Sequence, residues 1–329
     1  MSFMMPKEVW TTLLTFVCLL ASTAQAEQQP PLLAMPFSPA TRLLVVVPHP
    51  DDETLGAGGL IQRVLHAGGA VKVVFMTSGD GFLEGVTLAR HIQHPQARDY
   101  RAYGLLRQEE AKRALAILGV PSKHVVFLGF PDSGLCPLQL TYPIDNGRNY
   151  LSPFTLEDRP LTADVVLPGT EYNGEDLTKE LTWVLAHFRP TLVVTAHPLD
   201  RHPDHCTTYH FVSAALHAQP QADPALRPAL LTFLVHFGNW WPMLGRDSAE
   251  QQLHLPQPFP EAAATWRSLA LSPMEVQTKR QALLQHHSQM LVMGQYLLSF
   301  VQTNELFAPE PQGMQDVPQQ MPCCLRENR

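Results

Sequence analysis

Four short apolar runs rich in β-branched residues, separated by three stretches with helical spacing, constrain this chain more than any other feature. Arg42 to Val47 is the first run. Thr54 to Ala67 follows with helical spacing through Leu55, Leu60, Ile61, Val64 and Leu65, and stops at Gly68-Gly69. Val71 to Met76 is the second run, Tyr103 to Leu118 the next helical stretch and Val125 to Leu128 the third run. Leu177 to Phe188, with Leu181, Val184, Leu185 and Phe188 on one face, precedes Pro190 and a fourth run from Leu192 to Thr195. Strand, helix, strand in this rhythm implies right-handed crossovers. The chain therefore predicts an α/β fold, a Rossmann-like, doubly wound, mostly parallel sheet flanked by helices.

Sheets of this kind bind ligands beyond the carboxyl ends of their strands, so functional residues are expected just after Val47, Met76, Leu128 and Thr195. The segment from Ser133 to Asn173 keeps no period and carries several Gly, Pro, Asn and Asp. It reads as a long surface insertion near the same rim. Composition narrows the partners. With 23 Lys and Arg against 30 Asp and Glu, the formal charge is −7, which excludes a basic nucleic-acid binder, and 45% hydrophobic residues exclude bulk disorder.

The first 26 residues read separately. Lys7 precedes an apolar run from Val9 to Ala21, and Ala24-Gln25-Ala26 fits a signal-peptide cleavage pattern. This predicts export, periplasmic or secreted, with Glu27 as the mature N-terminus. The run is shorter than the ~20 residues a spanning helix needs, which favours a cleaved signal over an uncleaved anchor, and no other stretch is long and apolar enough to span a membrane. One domain over 27–307 and a flexible Pro/Gln-rich tail over 308–329 complete the organisation. Cys136, Cys206, Cys323 and Cys324 are too few for a disulfide scaffold, and neither their pairing nor the oligomeric state is legible.

Two constellations carry chemistry. After the first strand stands Pro48-His49-Pro50-Asp51-Asp52-Glu53, one imidazole and three carboxylates where a strand meets a helix start. Helix capping accounts for one or two of the carboxylates. It does not account for His49, since a cation is disfavoured there. After the fourth strand, Ala196 to Asp204-His205 packs three histidines and two aspartates into ten positions, in a chain where 15 of 329 residues are histidine. Two imidazoles and a carboxylate are the protein ligands of many catalytic zinc sites, with a fourth position open to water. The spacing His49-x-x-Asp52 lets both side chains turn to one point while Asp51 projects elsewhere. His205 is the natural third ligand.

These residues resemble the PIG-L/LmbE-like zinc-dependent N-deacetylases, marked by an [A/P]-H-P-D-D-E stretch and a later H-P-D-H. Arg107-Gln108-Glu109-Glu110 with Leu118-Gly119 is similar to that family's R-x-x-E…LG helix, and Leu128 to Asp132 to its LG-x-x-D turn. Lys279 to Gln289 looks like its terminal K…AL…H-x-S-Q segment. The resemblance implies Zn2+ held by His49, Asp52 and His205, a general base at Asp51, and a transition-state contact from His202 oriented by Asp204. It also implies sugar-hydroxyl contacts from Arg107 and Asp132, and an N-acetylated sugar or glycoconjugate as substrate. Some members place a tyrosine just before H-P-D-H, where this chain has Asp200-Arg201.

The expected activity is an exported zinc amidohydrolase acting on N-acetylglucosamine-type sugars. Zinc hydrolysis of another amide or ester conjugate, or a catalytically silent carbohydrate-binding protein, would use the same fold. Asp51 favours an enzyme, because it adds nothing to ligating the ion or to binding a neutral sugar. Among lesser features, Ser272-Pro273-Met274-Glu275 predicts a capped helix start whose face runs through Val276, Arg280, Leu283, His287 and Leu291. His287 is expected to be packed, and Trp240-Trp241 either to be buried or to stack on a sugar.

Overall fold

The computed structural model describes residues 30–144, 146–161, 163–223, 225–238, 241–242, 251–260 and 265–310. The N-terminal signal-like segment, the tail beyond residue 310, Trp240, Cys323 and Cys324 lie outside them. Strand β1 (Arg42–Val47) leads into helix α1 (Asp52–His66), then β2 (Ala70–Thr77), α2 (Leu83–Arg90), α3 (Ala97–Ile117) and β3 (Val125–Phe130). After α4 (Leu135–Leu140) and α5 (Gly174–Phe188) come β4 (Leu192–Ala196), α6 (Pro203–Ala222) and β5 (Ala229–Phe233). The chain then forms β6 (Arg267–Ala270), α7 (Pro273–Leu283), α8 (His287–Leu298) and β7 (Asn304–Pro309).

The seven strands run in the order β3-β2-β1-β4-β5-β7-β6. The first five are parallel, as the sequence predicts, while β7 lies antiparallel to both β5 and β6. Strand direction of side chains splits the core. Leu43, Val45 and Val47 face a cluster with α1, α3, α7 and α8, whereas Leu44 and Val46 face one with α5 and α6. Such continuous apolar runs are what a sheet covered on both faces requires. Because β1 pairs with β2 on one side and β4 on the other, the winding reverses between β1 and β4, and a crevice opens at their carboxyl ends.

Two readings of the sequence need correction. The face drawn from Val276 through His287 to Leu291 is not continuous: α7 ends at Leu283 and α8 starts at His287. His286 is therefore buried while His287 and Leu291 are exposed. The segment between Ser133 and Asn173 is more than a surface loop. It contains α4 and buries Leu135, Leu138, Ser152, Thr155 and Tyr172, with the Tyr172 hydroxyl donating to the Gly129 carbonyl at 2.8 Å. The Ser272 capping box is present with its reciprocal Glu275 bond. No helix among the described residues is long and apolar enough to cross a membrane.

Candidate active site

The chain leaves β1 through Pro48-His49-Pro50 and enters α1 at Asp51. This residue occupies the N-cap with φ 127° and makes no side-chain capping hydrogen bond. A non-glycine residue at that φ is strained, and strain of this kind collects at functional sites. Glu53 holds the turn instead, accepting the Asp51 amide at 2.9 Å and the Thr54 hydroxyl at 2.7 Å, with His286 Nε2 3.5 Å away. The Asp51 carboxylate is left unspent on capping and lines a cavity. Among the described residues its hydrogen-bonding side-chain partner is Arg107, whose Nη2 lies 3.4 Å from Asp51 Oδ2. Burial pushes the Asp51 carboxyl up to about 7 against the opposing pull of Arg107.

Asp52, one residue on, is placed quite differently. Its Oδ2 accepts the His49 amide at 3.0 Å and lies 3.4 Å from His49 Nδ1 and 3.3 Å from His205 Nε2. Burial works to raise its pKa, but His205 and His49 outweigh burial and hold this carboxyl well below the usual range. His205 arrives from the first turn of α6, across the crevice. Its other nitrogen, Nδ1, lies 3.3 Å from Asp200 Oδ2, a fully buried carboxylate that also accepts the amides of Val235 at 2.9 Å and His236 at 3.0 Å. A proton on Nδ1 facing Asp200 leaves the Nε2 lone pair facing Asp52. This is how carboxylates fix histidine ligands.

The residues fit a divalent ion. In a tetrahedral site with zinc bonds of about 2.0–2.1 Å, neighbouring ligand atoms stand about 3.3 Å apart. The two separations at Asp52 Oδ2 match that edge, and His205 Nε2 is buried with no hydrogen-bond partner. Three overlapping sets each bring their ligand atoms within 4.8 Å: His49, His202 and His205; Asp52, His205 and His236; and His49, Asp132 and Asp204. The expected ligands His49, Asp52 and His205 are divided among these sets, and Asp52 Oδ2 is the atom that joins the two imidazoles.

Two neighbouring carboxylates, Asp204 and Asp132, both approach His49. The Asp204 carboxylate does not reach toward His202. Its Oδ2 accepts the Ser133 amide at 2.7 Å and lies 3.3 Å from His49 Nε2, while Oδ1 accepts the Leu135 amide at 3.2 Å. What Asp204 offers His202 is its backbone N–H, 3.2 Å from Nδ1. That contact makes Nδ1 an acceptor and leaves the ring proton on Nε2. Burial, helped by His49 and His205, lowers the His202 pKa to about 4, so the ring is neutral. Asp132 places Oδ1 3.1 Å from His49 Nε2 and accepts the Gly81 amide at 2.8 Å through Oδ2.

Arg107 is not on a solvated helix face. It is buried, and donates to the Gly79 carbonyl at 2.8 Å and the Pro50 carbonyl at 2.7 Å, clamping the turn that carries Asp51. The α3 helix that presents Arg107 is itself held by the segment after α7: Glu110 accepts the Ser288 amide and hydroxyl, and the Gln289 amide donates to Tyr103. The cavity beside these groups measures about 250 Å³, and Arg107, Asp132, His202 and Tyr296 are among its walls.

His236 was missed by sequence reasoning. It follows β5 by three residues, packs its ring 4.6 Å from that of His205, and lines the cavity. The strand-end rule that located the other sites would have found it had it been applied to the run from Ala229. His197 is fully buried against Trp266, with ring centroids 5.0 Å apart, and does not line the cavity. Cys136 and Cys206 are both disulfide-bonded.

A mostly parallel sheet with a histidine–aspartate cluster at its reversal point defines an α/β protein with a candidate metal centre beyond the carboxyl ends of its strands. Residues 44–216, more than half of the chain, match the family described as PIG-L, GlcNAc-PI de-N-acetylase, and the chain belongs to that family. It is 33% identical over 181 residues to the 1D-myo-inositol 2-acetamido-2-deoxy-alpha-D-glucopyranoside deacetylase of Mycobacterium sp. (strain KMS), covering 53% of this chain and 50% of that one. It is also 30% identical over 173 residues to the diacetylchitobiose deacetylase of Thermococcus kodakarensis, covering 52% and 47%. The chain thus spans about half the length of these two relatives. A solved deacetylase from the teicoplanin biosynthesis pathway has a TM-score of 0.52 at 20% identity, covering 82% of this chain and 97% of that one, and shares the fold.

Proposed function

We propose that the protein is a zinc-dependent amidohydrolase that removes the N-acetyl group from an N-acetylglucosamine-type sugar or glycoconjugate. The observation that carries this reading is the Asp51 carboxylate: buried, on a strained backbone, unused in capping, and next to the candidate ligands without joining them. The relatives named above, both deacetylases of N-acetylated sugars, supply the substrate class.

His49, Asp52 and His205 would hold the ion. Zinc bound there supplies positive charge that acidifies a water and polarises the amide carbonyl. Asp51, whose pKa near 7 suits a group that both takes and returns a proton, accepts the proton of the attacking water and delivers it to the departing amine. His202 donates its Nε2 proton to the developing oxyanion, as a neutral donor whose tautomer is set by the Asp204 backbone. Asp204 and Asp132 orient His49, and Asp200 orients His205. Arg107 holds Asp51 in place, and together with Asp132 it would meet the sugar hydroxyls from the cavity wall.

The test is acetate release by zinc-loaded protein from a panel of N-acetylglucosaminides. Asp51→Asn is expected to lower turnover by ~100-fold or more with zinc content unchanged. Full activity in that variant would contradict the assignment of the base. Sugar binding by the unaltered protein with no acetate released would favour a silent binding protein, and release only from other amides or esters would move the substrate.

We further propose that the protein is exported. The signal-like segment before Glu27 supports this reading, as do the disulfide-bonded Cys136 and Cys206, which suit an oxidising compartment. N-terminal sequencing of the mature protein should begin at Glu27, and an intact Met1 on cytosolic protein would contradict it.

A further inference from the structure

A second cavity of about 350 Å³ adjoins the first and shares His236, Met293 and Tyr296 with it. Its remaining wall comes from the loop after β5, where Phe237 and Trp241 pair as an isolated antiparallel bridge, and from Arg201. The residues of this wall from His236 onward lie outside the family-matched segment, 44–216, while Arg201 lies within it. Met293 stands between the two spaces. It carries φ −134° and ψ 32° inside α8, and this departure from helical geometry sits where the cavities meet.

The polar atoms of the annex are largely committed inward. Trp241 Nε1 donates to the His254 carbonyl at 2.9 Å, and the Tyr296 hydroxyl donates to the Val235 carbonyl at 2.8 Å while lying 3.3 Å from His236 Nδ1. The rings are also braced: Arg201 Cζ lies 4.8 Å from the Phe237 centroid, Phe259 meets Phe237 edge-on at 4.9 Å, and Phe300 meets Trp241 edge-on at 5.9 Å. What faces the cavity is therefore mostly ring carbon and the soft side chain of Met293, which adapts to varied apolar shapes, with the Arg201 guanidinium as the charged group among its walls. A second sugar ring entering here would lose hydration from several hydroxyls and regain few partners from walls of this kind.

We propose that the annex receives an apolar aglycone, an alkyl or aryl group attached to the sugar whose acetamide occupies the first cavity. This rests on the deacetylase reading for its orientation, but binding can be tested without turnover. Calorimetry with hexyl glucosaminide, methyl glucosaminide and the disaccharide glucosaminyl-glucosamine, none of which carries an acetyl group, separates the possibilities. The hexyl glycoside is expected to bind about 10-fold or more tightly than the methyl glycoside, through burial of its additional methylenes. Phe237→Ala and Trp241→Ala should each remove most of that advantage and leave methyl glycoside binding within about twofold. The milder Phe237→Leu and Trp241→Phe serve if either alanine variant fails to fold.

Equal affinity for hexyl and methyl glycosides, no measurable hexyl binding, or tighter binding of the disaccharide would overturn the proposal. Such a result would leave acetate release, and hence the hydrolase reading, untouched. Loss of acetate release with the hexyl preference intact would instead overturn the hydrolase reading alone.

Discussion

Two buried clusters of charge lie along α1, one against its middle and one at its N-terminus, and they differ in how completely the protein answers them. In the first, Lys279 and Glu305 are both about 1% exposed and 2.7 Å apart. Lys279 also donates to the Leu55 carbonyl at 2.8 Å, and Glu305 accepts the amides of Gly59 at 2.7 Å and Leu60 at 2.9 Å. The pair thus binds the backbone of α1, and the missing side chains of Gly58 and Gly59 make room for it: a Cβ on Gly58 would lie 3.3 Å from Lys279 Cγ, and one on Gly59 3.1 Å from Glu305 Oε2. The second cluster holds His49, Asp51, Asp52, His202, His205 and His236. There Asp51 is strained, His205 Nε2 has no hydrogen-bond partner, and a cavity stands alongside. Buried charge as such does not mark function; buried charge that the fold leaves unanswered does.

The contrast can be broken by substitution. Glu305→Gln should cost the most stability, about 3–5 kcal/mol, because it leaves Lys279 charged and buried without its counter-ion. Denaturant titration should record that loss while zinc stoichiometry in the surviving folded protein stays unchanged. Asp200→Asn should do the reverse, weakening zinc binding by about 10–100-fold through loss of His205 orientation. Competition with a chelator measures this, and an unchanged affinity would remove Asp200 from the account. The smallest effect belongs to Ser272→Ala at the capping box of α7, about 1 kcal/mol in stability with no change in metal binding.

The same contrast explains what was legible in the sequence. The parallel half and its site announced themselves locally: each apolar run ends in a turn, and His49, Asp51, Asp52, His202 and His205 all follow a strand within nine residues. The antiparallel edge did not. Strand β7 reads Asn-Glu-Leu-Phe-Ala-Pro, and its Glu305 makes sense only beside Lys279, 26 residues earlier, and α1, some 245 residues earlier. Helix α6 was hidden similarly, since its first turns bury Asp204, Thr207 and Thr208 rather than an apolar stripe. The break between α7 and α8 shifted the face, which is why His286 and not His287 reaches Glu53. Asp200 and His236 meet through a carboxylate-to-amide bond spanning 36 residues, a pairing that spacing alone does not carry.

Adjacent aspartates with opposite duties are the centre of the account, and equilibrium zinc binding to Asp51→Asn and Asp52→Asn, measured side by side, tests it most directly. Asp51→Asn should bind one zinc ion with near-native affinity, whereas Asp52→Asn should lose most of that affinity. Equal loss in both variants, or loss in Asp51→Asn alone, would contradict the division of labour on which the proposed chemistry stands.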